Sequence, residues 1–79
     1  MRVEVTTLLL EAGADPNLQN DIGNTALHQA AKWARTETIP ILVEHGASLD
    51  IENMRGETPI DVATGDRTMD MLLTLRAGQ

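Results

Sequence analysis

Few residues in this 79-residue chain could carry out chemistry. The chain contains two histidines, His28 and His45, a single serine, Ser48, and neither cysteine nor tyrosine. A catalytic nucleophile needs a base beside it and a third group that orients the base. The sequence offers no such set around Ser48, so we expect the chain not to be an enzyme and to use no cofactor and no metal.

One pair of polar residues has a suggestive spacing, because His28 and Asp61 lie 33 positions apart. If the chain repeats with that period, the two side chains should lie near each other on neighbouring helices. They could then form half of a metal site or a proton relay. The alternative is a hydrogen bond that joins neighbouring units and supports the fold.

The composition limits the classes of partner. The formal net charge is −6, and Trp33 is the single aromatic residue. Phosphate backbones and anionic lipid surfaces repel an acidic chain, and recognition of single-stranded nucleic acid usually needs several aromatic rings. The longest apolar run, Leu8–Leu10, is far below the roughly 20 residues of a membrane span. We therefore expect a cytoplasmic protein that binds neither nucleic acid nor membranes, with a protein partner of basic or neutral surface.

An internal repeat organises the sequence. Gly13-Ala14 recurs as Gly46-Ala47, and Gly23-x-Thr25 recurs as Gly56-x-Thr58, both 33 residues later. Aligning residues 5–31 with residues 38–64 gives eight identities, where ordinary residue usage would give roughly two. A period of this length predicts a solenoid of stacked units.

Each unit has the signals of two helices and a turn-rich finger. Apolar residues recur at helical spacing before Gly13 and Gly46, which are suited to end a helix. Thr25 and Thr58 are predicted N-caps, with Asp61 at the third helical position behind Thr58. The predicted order is an outer helix at about 3–12, a finger at 13–24, an inner helix at 25–33, an outer helix at 36–45, a finger at 46–57, a short inner helix at 58–64 and an outer helix at 68–77.

The pattern resembles the ankyrin repeat over essentially the whole chain. The residues that carry the resemblance are Gly-Asn-Thr-Ala-Leu-His-Gln-Ala-Ala at 23–31, Gly-Glu-Thr-Pro-Ile-Asp-Val-Ala at 56–63 and Gly-Ala-Asp-Pro-Asn at 13–17. The resemblance implies an all-α solenoid of helix pairs linked by β-turn fingers. It also favours the structural role for His28, because the family uses a histidine there to join units.

Several residues depart from the family pattern. Ala26 replaces a proline, Asn20 and Asn53 replace aspartates, and Ala34 stands where the family has a glycine between helices. Pro40 falls within a predicted helix, where an interior proline costs about 3 kcal/mol. We expect that helix to begin near residues 36–38, so that the proline lies close to its first turn. One residue is missing from the third unit, near residues 64–66.

Aligned with the family, the chain forms a single ankyrin-repeat segment, 1–79, with three parts. Residues 1–20 are the end of a first repeat that lacks its inner helix, 21–53 form a full repeat, and 54–79 form a C-terminal, capping-like repeat. The inner helix at 25–33 would then lack a neighbour on one side. We expect either that the chain is part of a longer array or that it self-associates through this edge.

The candidate partner-binding residues lie on the inner helix and the finger tips. Trp33 ends the inner helix, at a position that faces the concave groove in the family and varies with the partner, and tryptophan is enriched at binding hot spots. It could instead fill the space left by the absent helix. Ile22 and Met54 are apolar residues in polar turns, which suits a binding surface, although single exposed apolar residues are common. The full predicted set is Trp33, Lys32, Asp21, Ile22, Asn24, Met54, Arg55 and Glu57.

The sequence therefore predicts a non-catalytic protein–protein interaction module, or scaffold, that binds through its concave groove and finger tips. The alternative is a structural spacer or cap within a larger enzyme or channel whose activity lies outside this chain.

Overall fold

The computed structural model describes Leu8 and residues 11–78, and within them it contains helices, turns and loops but no strand. Within the described residues, four helices have complete bounds: α1 (Ala26–Lys32), α2 (Thr38–Glu44), α3 (Pro59–Val62) and α4 (Asp66–Ala77). This confirms the all-α class. The helix predicted at about 3–12 lies outside the described residues except at its end, where the Ala12 N–H donates to the Leu8 carbonyl at 3.0 Å.

Matching capping boxes begin the two inner helices, α1 and α3. The Thr25 hydroxyl accepts a hydrogen bond from the backbone N–H of His28, and the Thr25 N–H donates to the His28 ring. Thr58 and Asp61 make the same reciprocal pair at α3. Each box satisfies backbone donors that a helix start leaves unpaired, so the two predicted N-caps are confirmed.

Pro40 is accommodated because α2 begins late. The helix starts at Thr38, which makes Pro40 its third residue. The first N–H groups of a helix have no partner within the helix, so a proline there removes no intrahelical bond. The predicted start near residues 36–38 is confirmed at its later limit, since residues 36–37 form a turn.

The junction between α3 and α4 carries the irregularity predicted near residues 64–66. Helix α3 ends at Val62 because Ala63 is extended, with ψ 138°, and Gly65 follows with φ +83°. Helix α4 then begins at Asp66, two residues before the predicted start. The third unit therefore has a four-residue inner helix where the second has seven.

The core joins all four helices without an aromatic residue. Helix α1 packs against α2 and α3, and α4 packs against the same two helices. The fully buried apolar residues come from α1, α2, the second finger and α4, and they are Leu27, Ala30, Ala31, Ile39, Leu42, Ala47, Leu49 and Leu72. Two alanines on α1 allow close helix packing, and the leucine and isoleucine side chains fill the remaining space.

Hydrogen bonds tie each unit to the next. The Met54 N–H donates to the Ile22 carbonyl at 3.1 Å between the finger tips. At the other end of the inner helices, Thr64 donates its N–H to the Ala31 carbonyl at 3.2 Å and its hydroxyl to the Lys32 carbonyl at 2.8 Å. Asn17 bridges the finger bases, accepting from the Ser48 N–H and donating to the Gly46 carbonyl. Adjacent units are therefore fixed in register at three levels.

Ala34 is the single non-glycine residue with a positive φ among the described residues, at 53°. A left-handed conformation costs an ordinary L-residue about 1 kcal/mol, whereas glycine adopts it freely. We therefore expect Ala34→Gly to raise the free energy of unfolding by up to about 1 kcal/mol, less the greater backbone entropy of glycine in the unfolded chain. Urea unfolding followed by circular dichroism would measure the change, and a clear loss of stability would contradict the expectation.

Candidate functional site

A cleft of about 450 Å³ lies where the two finger tips meet the inner helices. We call it the groove. Its lining residues are Ile22, Asn24, His28, Lys32, Asn53, Met54, Arg55, Glu57, Val62 and Thr64. The groove therefore brings together six of the eight predicted partner-binding residues, drawn from two successive units.

Two asparagines hold the finger tips in shape. The Asn20 Oδ1 accepts hydrogen bonds from the N–H groups of Ile22 and Asn24, at 3.1 and 2.9 Å. Asn53 repeats the arrangement in the second finger, where its Oδ1 accepts from the N–H groups of Arg55 and Glu57. Side chains that accept from backbone groups two and four residues on stabilise tight turns. The asparagines that depart from the family pattern thus serve as turn-formers, as the glycine and asparagine content of the fingers predicts.

The exposed apolar surface of the groove comes from Ile22 and Met54. Ile22 is 59% exposed and Met54 is 77% exposed. Their backbones are hydrogen-bonded to each other, so the two residues occupy neighbouring positions on successive finger tips. The result is a small exposed apolar surface whose backbone is held by hydrogen bonds and whose side chains are largely accessible to solvent.

Charged residues at the groove differ in how far they are already paired. The Glu57 Oε1 accepts a hydrogen bond from the Asn53 amide at 3.1 Å, and the same amide donates to Asn24 Oδ1 at 2.9 Å. Among the described residues, neither Lys32 nor Arg55 has a carboxylate oxygen within 4.0 Å of its cationic group. The groove therefore presents one carboxylate engaged by an amide and two basic side chains.

His28 lies at the base of the groove and is 1% exposed. Its Nδ1 accepts from the Thr25 N–H at 3.1 Å, so the ring proton is on Nε2, which donates to the Glu57 carbonyl at 2.7 Å. Both ring nitrogens are therefore used within the protein, one in the cap and one in a bond to the next finger. This confirms the interpretation of His28 as a residue that joins neighbouring units.

The partner of His28 is nevertheless not Asp61. The Asp61 carboxylate accepts from the Thr58 N–H at 2.9 Å, within its own capping box. Because each of the two residues caps its own helix, their side chains turn toward their own N-caps and not toward each other. No group of three or more histidine, cysteine or acidic residues able to hold a metal occurs in the part of the chain that the structure describes.

Trp33 and Asp21 lie outside the groove lining, although both were in the predicted set. Trp33 is the C-cap of α1 and is 62% exposed, beside a separate cavity of about 460 Å³ that Gln29, Ala30 and Arg35 also line. Successive helical residues point about 100° apart, so Lys32 can face the groove while Trp33 faces elsewhere. The Lys32 Nζ nevertheless lies 5.5 Å from the centroid of the Trp33 ring. Trp33 therefore borders the groove without lining this cleft, and its role as a partner contact stays a prediction.

The capping box of α3 should make stability depend on pH. The hydrogen bond from the Thr58 backbone, then that from the Thr58 side chain, holds the pKa of Asp61 below its ordinary value of 3.8. A carboxyl whose pKa is lower in the folded state stabilises the fold above its unfolded pKa and loses that contribution as the pH falls through its folded pKa.

We therefore expect the stability of the chain to fall more steeply below about pH 4 than that of an Asp61→Asn variant, which cannot titrate there. Urea midpoints measured between pH 6 and pH 2 (roughly the range over which a lowered aspartate titrates) would test this. Parallel curves for the two proteins would contradict it.

No helix in the described part of the chain combines the length and the apolar character that crossing a bilayer requires. The repeated unit of inner helix, outer helix and finger, with bonds to the next unit at three levels, defines a solenoid of stacked repeats.

Comparison with known proteins agrees with this architecture. The family model for ankyrin repeats, described as three copies, matches residues 2–78. The chain therefore belongs to the ankyrin-repeat family.

The individual relatives are longer proteins of varied kinds. The chain is 41% identical over 63 residues to the protein phosphatase 1 regulatory subunit 12A of Mus musculus, covering 80% of this chain and 6% of that protein. It is 38% identical over 71 residues to a palmitoyltransferase of Danio rerio, covering 89% of this chain and 12% of the enzyme. The chain thus spans only a small part of these relatives.

A solved structure matches the fold directly. The crystal structure of the ankyrin repeat domain of Bcl-3, a member of the IkappaB protein family, superimposes with a TM-score of 0.82 at 34% identity. The match covers 90% of this chain and 33% of the Bcl-3 chain. Ankyrin repeats are in general a non-catalytic fold for protein–protein interaction.

Proposed function

We propose that this chain binds a segment of a protein partner in the groove and performs no catalysis itself. The observation that carries the proposal is the pair of exposed apolar side chains, Ile22 and Met54, contributed by successive fingers to one cleft. Exposed apolar residues that cluster within a polar surface are typical of binding surfaces.

The hydrogen bonds that order the finger tips also favour a binding role. The asparagine turns and the bond between the Met54 N–H and the Ile22 carbonyl fix the backbone on which the apolar side chains sit. A surface that is already ordered loses little conformational entropy when a partner docks, so a larger share of the contact energy appears as affinity. The groove size also suits a short stretch of chain better than a large rigid surface.

The test uses a random peptide library displayed on phage and selected on the immobilised chain. Selected peptides should bind an Ile22→Ser/Met54→Ser double variant at least tenfold more weakly than the unsubstituted chain, because about 1.4 kcal/mol of apolar contact corresponds to a factor of ten.

Leu18→Ser is the matched control, since Leu18 is a finger residue that is 73% exposed and does not line the groove. It should leave affinity within about twofold, as expected of an exposed residue away from the contact. Selected peptides that bind the double variant and the parent chain equally well would overturn the proposal.

A second candidate is a spacer or cap within a longer protein. It is favoured by the small share of the phosphatase subunit and the palmitoyltransferase that the chain spans. A selection that yields no peptide dependent on the groove would support this alternative over the binding function.

We propose Trp33 as a further contact, beside the groove, for a partner larger than the selected peptides. We expect Trp33→Ala to weaken binding of such a partner while changing the free energy of unfolding by no more than about 0.5 kcal/mol, because the side chain is largely exposed and lies outside the core. Circular dichroism and urea unfolding would check the second half of this expectation, and a loss of helix would identify Trp33 as a packing residue instead.

A further inference from the structure

The groove differs in charge from the chain as a whole. The chain has a formal net charge of −6. Among the described residues, however, the charged side chains that line the groove are Lys32, Arg55 and Glu57, so the basic groups outnumber the acidic one. The overall charge therefore favours a basic partner, whereas the local charge of the groove favours an acidic one.

The hydrogen bonds at the groove strengthen this contrast. Glu57, the acidic lining residue, already accepts from the Asn53 amide. Lys32 and Arg55 have no carboxylate within 4.0 Å among the described residues, whereas Arg76 on α4 pairs with Asp50 at 3.7 Å. The groove thus contains basic groups whose charges no described carboxylate neutralises at contact distance.

The ring of Trp33 helps to position the side chain of Lys32. Its Nζ lies 5.5 Å from the centroid of the Trp33 ring, within the range of a cation–π contact. Such a contact involves the face of the ring and leaves the N–H donors of the ammonium able to bind an anion. Trp33 therefore helps to hold a cation at the rim of a groove that the ring itself does not line.

From this arrangement we propose that the occupant of the groove is an acidic segment of a protein partner that carries an apolar side chain beside its carboxylates. The proposal rests on the proposed function. The apolar side chain contacts Ile22 and Met54, and the carboxylates pair with Lys32 and Arg55.

An acidic occupant is compatible with the acidic character of the chain because salt screens distant charges. At physiological ionic strength charges more than about 8 Å apart are largely screened, so the residues in contact decide which sequence fits the groove. Asp21 and Glu52 lie on the same fingers outside the lining. They disfavour a long acidic tract and limit the segment to one or two carboxylates near its apolar residue.

Two double variants of equal charge test the proposal with the selected phage-display peptides. Lys32→Gln/Arg55→Gln removes two positive charges at the groove, and Arg35→Gln/Arg67→Gln removes two from exposed positions that do not line it. We expect the selected peptides to contain Asp or Glu next to an apolar residue. The groove variant should bind them about tenfold more weakly, and the control variant should bind within about twofold of the parent, as two partly screened ion pairs predict.

The outcomes separate this proposal from the one on which it rests. Peptides that depend on Ile22 and Met54 but are basic or uncharged would overturn the acidic occupant and leave groove binding intact. An equal loss for both double variants would also overturn it, because overall charge would then be the cause. Peptides insensitive to Ile22 and Met54 would overturn both proposals. Urea midpoints for each variant confirm that the compared proteins are folded.

Discussion

Replacing His28 by Ala should lower the free energy of unfolding by about 3 kcal/mol. The imidazole is almost completely buried and makes hydrogen bonds through both ring nitrogens. Its loss leaves the Thr25 N–H and the Glu57 carbonyl without these partners and opens a cavity between two units. Natural domains are stable by only about 5–15 kcal/mol, so the change removes a large fraction of the total.

Asp61→Ala is the matched control for this substitution. Asp61 holds the equivalent place in the capping box of α3, but it is exposed, and among the described residues its side chain makes no hydrogen bond to either finger. It should destabilise the chain much less than His28→Ala, and urea unfolding would measure both. Equal losses would show that the capping box alone explains the role of His28 and that its bond to Glu57 adds nothing.

Replacing Gly23 by Ala should cost about 3 kcal/mol through two separate effects. Gly23 has φ +83°, a conformation that strains any L-residue with a side chain. A Cβ built there would lie 2.8 Å from the Met54 backbone nitrogen and 3.0 Å from the Asn53 Cα. Because these are backbone atoms of the next finger, relief requires the two fingers to separate.

Gly56→Ala separates strain from the close approach. Gly56 holds the equivalent turn position with φ +74°, but a Cβ there would meet only the Glu52 Oε2, at 3.6 Å. It should therefore show the backbone strain alone, about 1 kcal/mol. Urea unfolding measures both values. Gly23→Ala should also weaken the binding of the selected peptides, because separating the fingers moves Met54 away from Ile22. Equal free energies of unfolding for Gly23→Ala and Gly56→Ala would contradict the close approach at Gly23.

The elements of the fold could be predicted because their signals are local. The two threonine N-caps, the position of Pro40 near a helix start and the all-α class follow from residues close in sequence, and the structure has all three. The predicted helix bounds differ from the structure at the α3–α4 junction. There the extended Ala63 and Gly65 bring α4 to an earlier start, and neither conformation leaves a periodic signal.

The site could be predicted only in part because side-chain direction depends on helix phase and on competing bonds. The exposed apolar residues of the finger tips could be predicted, since apolar residues in polar turns are visible in the sequence, and the structure places Ile22 and Met54 in one cleft. Trp33 was assigned to the groove by resemblance, but it lines a neighbouring cavity, although the Lys32 Nζ lies 5.5 Å from its ring centroid. Its role as a partner contact stays a prediction. The hydrogen bond from His28 to the Glu57 carbonyl could not be predicted from the sequence either, because every residue type has a backbone carbonyl and the pattern does not show which one accepts.

In the finger tips, the residues that hold the shape of the turns differ from those proposed to contact a partner. Asn20, Asn53 and backbone groups fix the shape of the turns, whereas the side chains of Ile22 and Met54 contribute little to the core. Substitutions at Ile22 and Met54 should therefore change the free energy of unfolding little. On the proposed function, the binding preference of this segment could then change through a series of variants that all fold.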